Sequence, residues 1–274
     1  MVDTCVTCTE PLILDIDSDD DDDDLRPGSS DRNGRTVPDS VELKGGCHFH
    51  WSVLFSLSFS LAAANIHALH RECLLDAYYM NECPNCGKNV TQTQNTGSQQ
   101  ILCNLDNEGG LQEGIDIMPL LVEASYLKVY PEDRKGRAFV EFAAEGDVMA
   151  MLDMLAERGS DDEVDGQEQA TTNIEILRYQ DPLGGMNSAL HTAVLNNNEV
   201  VAWLLLWLAS GLNEGVFPAD VVQHAQELKI ARGSLTGQAD IRSLVNSAGR
   251  TAAQLAKEKG DLWARWVDAG WLEP

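Results

Sequence analysis

Basic residues are scarce in this chain: 19 Lys and Arg stand against 44 Asp and Glu, a formal net charge of −25 at pH 7 over 274 residues. A field of that sign repels polyanions, which excludes nucleic acid as a partner and disfavours an anionic membrane surface. Catalytic signatures are lacking too. No Gly-rich phosphate loop, nucleophile elbow or His-Glu-x-x-His motif occurs, so hydrolase and oxidoreductase chemistry have no support. The opening residues, MVDTCVTCTE, hold no basic region followed by an apolar core. The expectation is therefore a chain without a secretory leader, in the cytoplasm or nucleus. Apolar residues are not lacking: 43% is ordinary for a globular protein, and the length suits two small domains.

Cysteine is present in an odd number, seven, which does not suit a disulfide framework. The spacing is informative. Cys5 and Cys8 form one Cys-x2-Cys pair, Cys83 and Cys86 another, and Cys47-His48-Phe49-His50 and Cys73 lie between them. A Cys-x2-Cys turn supplies two thiolates at once to a tetrahedral zinc ion, and imidazole completes such sets. In a reducing compartment, clustered thiolates hold metal. Cys103 is left over.

Two segments between the ligands stand apart. Residues 15–40 contain Asp15, Asp17 and the unbroken run Asp19–Asp24, followed by RPGSSDRNGRTVPDS. Charges of one sign at that density extend a chain, so a disordered acidic loop is expected. Residues 52–71 are instead apolar, with Phe55, Leu57, Phe59 and Leu61 alternating with serine. Three readings stay open for this insert: a half-buried strand, a membrane-contacting segment, or a retained intron foreign to the fold. Without it, HFHW joins ECLLDAY and His50-x2-Cys73 regains ligand spacing.

The ligand order resembles the RING finger family, whose two zinc sites are interleaved. The resemblance implies that Cys5, Cys8, His50 and Cys73 bind one zinc and that Cys47, Cys83 and Cys86 bind the second. The family's third ligand position falls on Gly45, which cannot coordinate. His48 is the substitute candidate and Asp76 a weaker one; His67 and His70 read as incidental imidazoles, with His70 the alternative ligand because His70-x2-Cys73 copies the His50 spacing. RING fingers commonly act as ubiquitin ligases by positioning a charged conjugating enzyme. Here Thr7, Ala77 and Gly87 depart from the residues that usually make that contact, and Pro84 matches.

From Pro119 onward apolar residues recur at helical spacing. Asp181 and the following PLGGMNSALHTA, through Ala193, resemble the ankyrin signature, and the stretch from Gly249 to Ala256 resembles a later copy. The resemblance implies core positions at Leu190, Ala193, Val200, Val201, Leu204 and Leu205, and a structural role for His191. Trp203, Trp207, Trp263, Trp266 and Trp271 read either as packing for the stack or as a binding surface. The combination is similar to uncharacterised fungal proteins that pair a HFHW-type finger with ankyrin helices.

The expected fold is α+β and multidomain. A small zinc-stabilised RING-like finger (1–88) carries the acidic loop and the apolar insert. A linker with short strands (89–111) and an all-α ankyrin-repeat domain (112–274) follow. Two Zn2+ ions are expected. Two functions remain open: a ubiquitin-ligase-like protein whose helices recruit a protein partner alongside a ubiquitin-conjugating enzyme, or a non-enzymatic adaptor with structural zinc.

Overall fold

The structure is a computed structural model that describes residues 4–16, 35–50, 81–156 apart from 84 and 96, 174–232 and 238–274. The apolar insert 52–71, His67, His70, Cys73, Asp76, Ala77 and the acidic stretch 160–169 lie outside the described residues. The chain divides into two compact units, Met1–Val129 and Tyr130–Pro274. No helix among the described residues is long and apolar enough to cross a membrane.

The first unit is built on antiparallel strands. Strands β1 (Ile13–Ile16) and β2 (Arg35–Pro38) pair with each other, so both ends of the expected acidic loop are ordered ladder. Strands β3 (Ser40–Leu43), β4 (Cys47–Phe49), β5 (Thr91–Thr93), β6 (Gln99–Asn107) and β7 (Gly110–Asp116) form a five-stranded sheet in which β3, β5 and β7 all pair with β6. Side chains alternate across the sheet, as strand geometry demands. Val41 lies between Phe49 and Leu105, and Leu43 between Cys47 and Cys103, all on the buried face. Val90, Ile101, Ile117 and Leu121 complete this core, the last from helix α1 (Met118–Val129). Cys103 is a core residue: burial, with Asp116 nearby, pushes its thiol up to about 11.

The second unit carries helices α2 (Arg134–Glu145), α3 (Val148–Ala156), α4 (Ala189–Asn196), α5 (Glu199–Ala209), α6 (Ala219–Glu227), α7 (Ala252–Lys259) and α8 (Ala264–Asp268). A two-stranded ribbon, β8 (Gln180–Asp181) with β9 (Asn187–Ser188), and 3-10 turns at Glu214–Val216, Ile241–Ser243 and Asp261–Trp263 interrupt them. His191 is structural, as expected: Nδ1 lies 2.8 Å from Ser188 Oγ and Nε2 3.0 Å from the Arg250 carbonyl oxygen, and burial pushes its pKa down. Gly136 sits inside α2 because a Cβ there would come within 2.4 Å of the Tyr179 ring, which offsets the roughly 1 kcal/mol that helix-interior glycine costs.

The expected fold class is corrected on two counts. The sheet does not stop with a small finger, because β3, between the ligand segments, takes its backbone partners from β6 at Gln99–Asn107. The C-terminal unit is not an all-α ankyrin stack. Its ribbon and 3-10 turns use different hydrogen bonding, and the 3-10 turn at Ile241–Ser243 is fixed by Asp240, which accepts from the Arg242 and Gly211 backbone N–H groups. Leu190, Ala193, Val201, Leu204 and Leu205 are core as expected, but Val200 is 69% exposed. Val200 lies in the first turn of α5, off the face on which Val201 and Leu205 recur four residues apart.

Candidate metal centre

Two Cys-x2-Cys turns with one hydrogen-bond pattern organise the first unit. In the first, the Cys5 N–H donates to the Glu10 carbonyl (2.9 Å) and the Thr9 N–H to the Cys5 carbonyl (2.9 Å), while Thr4 bridges Pro11. In the second, the Cys83 N–H donates to Lys88 (2.7 Å) and the Gly87 N–H to Cys83 (2.8 Å), while Glu82 bridges Asn89. The residue after each second cysteine has a left-handed backbone, φ 66° at Thr9 and 67° at Gly87. Glycine suits that conformation, whereas a β-branched residue is strained in it. Thr9→Gly is therefore expected to raise the stability of the metal-loaded unit by about 1 kcal/mol, and Gly87→Thr to lower it by at least as much. Denaturant midpoints of the two variants check this; a destabilised Thr9→Gly would mean that the Thr9 hydroxyl, 2.6 Å from the Cys8 carbonyl oxygen, outweighs the strain.

Each turn meets ligands from the β3–β4 hairpin. The candidate donor atoms of Cys5, Cys8 and His50 lie within 4.8 Å of one another, and so do those of Cys47, Cys83 and Cys86. Both groups can hold a metal ion. The Val6 N–H donates to the His48 carbonyl at 2.9 Å, so backbone pairing presses the first turn against β4. Lys44, Gly45 and Gly46 turn the hairpin, with φ of 118° and 79° at the two glycines, and this geometry returns Cys47 to the buried face. His48 joins neither group. Strand alternation puts it on the other face from Cys47 and Phe49, where its Nδ1 lies 3.1 Å from Ser40 Oγ.

The local electrostatics act on the thiols in different directions. Burial works to raise the Cys5 thiol, but hydrogen bonds from the backbone N–H groups of Cys8, Thr7 and His50 and from the Cys8 thiol hold it below the ordinary value. The Asn85 amide, 3.5 Å from Cys47 Sγ, works to lower Cys47, but burial and the neighbouring Cys86 and Cys83 push it up. Cys86, which is exposed, is held down chiefly by the Lys88 backbone N–H. A divalent ion reverses the mutual repulsion of three thiolates and drives their deprotonation. Two thiols with an imidazole, and three thiols with an amide donor behind them, fit a soft or borderline ion such as zinc.

His50 is buried, and its Nδ1 lies 2.8 Å from Oδ2 of Asp39. The Asp39 carboxylate raises the imidazole pKa, against the effect of burial. Sequence reading missed Asp39 because it stands in the segment assigned to the acidic loop. Its one available signal was position, two residues before the alternating Val41 and Leu43. Asn85 was likewise unmarked, although it lies between the two cysteines of its turn.

Comparison with known proteins adds no family: no family model matches the sequence, and neither a curated protein nor a solved structure matches it.

Proposed function

We propose that the protein is a structural-zinc interaction protein, in which two zinc ions fold the N-terminal unit in a RING-like manner and the C-terminal helices hold a protein partner. The observation that carries the proposal is the interleaving of the two groups. Along the chain the ligands run Cys5, Cys8, Cys47, His50, Cys83, Cys86, yet His50 clusters with the first pair and Cys47 with the last. Ions bound in this order tie distant segments into one another, a stabilising role that leaves chemistry aside. Thiolate-rich donor sets are those of structural zinc. By the RING resemblance, Cys73 is the fourth ligand of the first ion.

The second reading, a ubiquitin ligase, is favoured by the same interleaved order. Against it stand Thr7 and Gly87, both exposed, where the resemblance calls for other residues. Elemental analysis of the full chain is expected to find two zinc ions, and an autoubiquitination assay with a panel of conjugating enzymes is expected to find no transfer. Less than one ion per folded chain would overturn the zinc reading. Ubiquitin transfer abolished by Cys86→Ser would replace the adaptor with the ligase.

A further inference from the structure

The Asp39–His50 pair has the placement of a ligand with its orienting carboxylate. Asp39 is 1% exposed and His50 3%, so neither group exchanges its partner for water. The carboxylate is fixed from its own backbone, because the Asp39 N–H donates to the Leu12 carbonyl at 3.0 Å. Leu12 packs with Cys5, and partly with Cys8, in a small separate cluster. Asp39 is thus tied to the segment that follows the first Cys-x2-Cys turn, and it stands one residue before β3. His50 stands one residue past β4, which pairs with β3 from Val41↔Phe49 to Leu43↔Cys47. Two backbone frames, the Cys turn and the hairpin, therefore meet at this contact.

We infer that Asp39 is a positioning residue for the first metal ion: it holds the His50 ring so that Nε2 is the ligand atom. The inference rests on the zinc reading of the Cys5, Cys8 and His50 group. An imidazole offers a metal one lone pair, and the hydrogen bond made by the other nitrogen decides which. With the carboxylate oxygen 2.8 Å from Nδ1, the proton sits on Nδ1 and is donated to Asp39, which leaves the Nε2 lone pair for the ion. A buried carboxylate behind a ligating histidine also restricts ring rotation, so less ordering remains when the metal arrives. Among the described residues the second group has no such device: its three donors are thiols, which need no choice of tautomer, and Asn85 donates to a sulfur instead. Asp39 should accordingly act on one ion and leave the other alone.

The experiment uses the full chain as wild type, Asp39→Asn, His50→Cys and the double variant. Zinc affinity is measured by chelator competition, and cobalt replaces zinc to give a thiolate-to-metal charge-transfer spectrum for each site. Asp39→Asn keeps the size of the side chain but cannot accept from Nδ1–H with full charge. It is expected to weaken one of the two ions by about 10- to 100-fold and leave the other unchanged. In the His50→Cys background, Asp39→Asn is expected to change nothing, because a thiolate needs no ring held in place. An equal loss in both backgrounds, or a loss of both ions together, would make Asp39 a structural residue of the hairpin and overturn the inference. Nitrogen-15 spectra of the zinc-loaded wild type give a check independent of any variant. They should show Nδ1 protonated and Nε2 bound to metal, and the opposite tautomer overturns the inference. A wild type that binds two ions with an indifferent Asp39→Asn sinks this inference alone; a wild type that binds none sinks the zinc reading and this inference with it.

Discussion

A strong chelator added to the full chain is expected to unfold the N-terminal unit and leave the C-terminal unit folded. Among the described residues, the apolar cluster under the five-stranded sheet consists of Val41, Leu43, Phe49, Val90, Ile101, Leu105, Ile117 and Leu121 besides cysteines. Cys47 and Cys83 are themselves part of it, so ligands and core share one site. Structural zinc contributes about 10–16 kcal/mol of binding free energy in small domains, whereas a whole domain is stable by about 5–15 kcal/mol. On the proposed two-zinc reading, losing even one such ion is comparable to the stability of a whole domain. Hydrogen exchange should lose protection in β3, β4, β6 and β7 on chelation. Tryptophan fluorescence gives the internal control, because five of the six Trp residues lie between Trp203 and Trp271, in the second unit. Its unfolding transition should not move. Retained protection in the sheet after complete zinc removal would show that the strands fold without metal. Cys5→Ser should reproduce the chelator effect in part, by weakening the ion it shares with His50.

How much of this was legible depends on the range of each interaction. The Cys-x2-Cys turns are local, and their spacing declares them. Interleaving is not local: nothing in the chain from Cys47 to His50 states that two residues three apart serve different groups, and it took a family resemblance to suggest it. Strand alternation then separates His48 from Cys47, a consequence that becomes readable only once β4 is known to be a strand. The pairing of β3 with β6 was hidden for the same reason. The alternating Ile101, Cys103 and Leu105 announced a strand but not its partner more than fifty residues earlier. Asp39 was concealed by composition, since one functional carboxylate looks like any other beside a run of aspartates. The helical period was legible from Pro119 onward, and helices follow it, first in α1 of the first unit and then through the second. The two-residue ribbon at Gln180–Asp181 was too short to show a period, and the 3-10 turns were not legible because single side chains such as Asp240 and Asn213 accept from their N–H groups.

Trp266→Ala is expected to cost the second unit about 3–5 kcal/mol, the largest loss that a single core truncation should produce there. Trp266 is fully buried, with ring centroids 4.2 Å from Trp203, 5.0 Å from Trp263 and 5.6 Å from Trp271. Trp203 in turn lies 5.6 Å from Phe217. These rings connect α5, α8 and the segment after α6's preceding 3-10 turn, so one deletion removes contacts from several elements at once. The surrounding aromatic rings are stiff and cannot collapse into the space, which adds a cavity cost to the lost transfer energy. The indole also donates from Nε1 to Glu199 Oε1 at 2.7 Å. Glu199 keeps Arg265 at 3.2 Å, and that exposed partner limits the penalty for the stranded carboxylate. Trp266→Phe separates the two contributions: it refills much of the volume but cannot donate, and should cost less than half as much. Val200→Ala is the surface control. At 69% exposure it should fall within about 0.5 kcal/mol of wild type. Denaturant unfolding followed by fluorescence and far-ultraviolet circular dichroism gives the three values, and zinc content should stay at the wild-type level throughout. A Trp266→Ala loss below about 1 kcal/mol would return the tryptophans to the alternative reading, a binding surface and not a core.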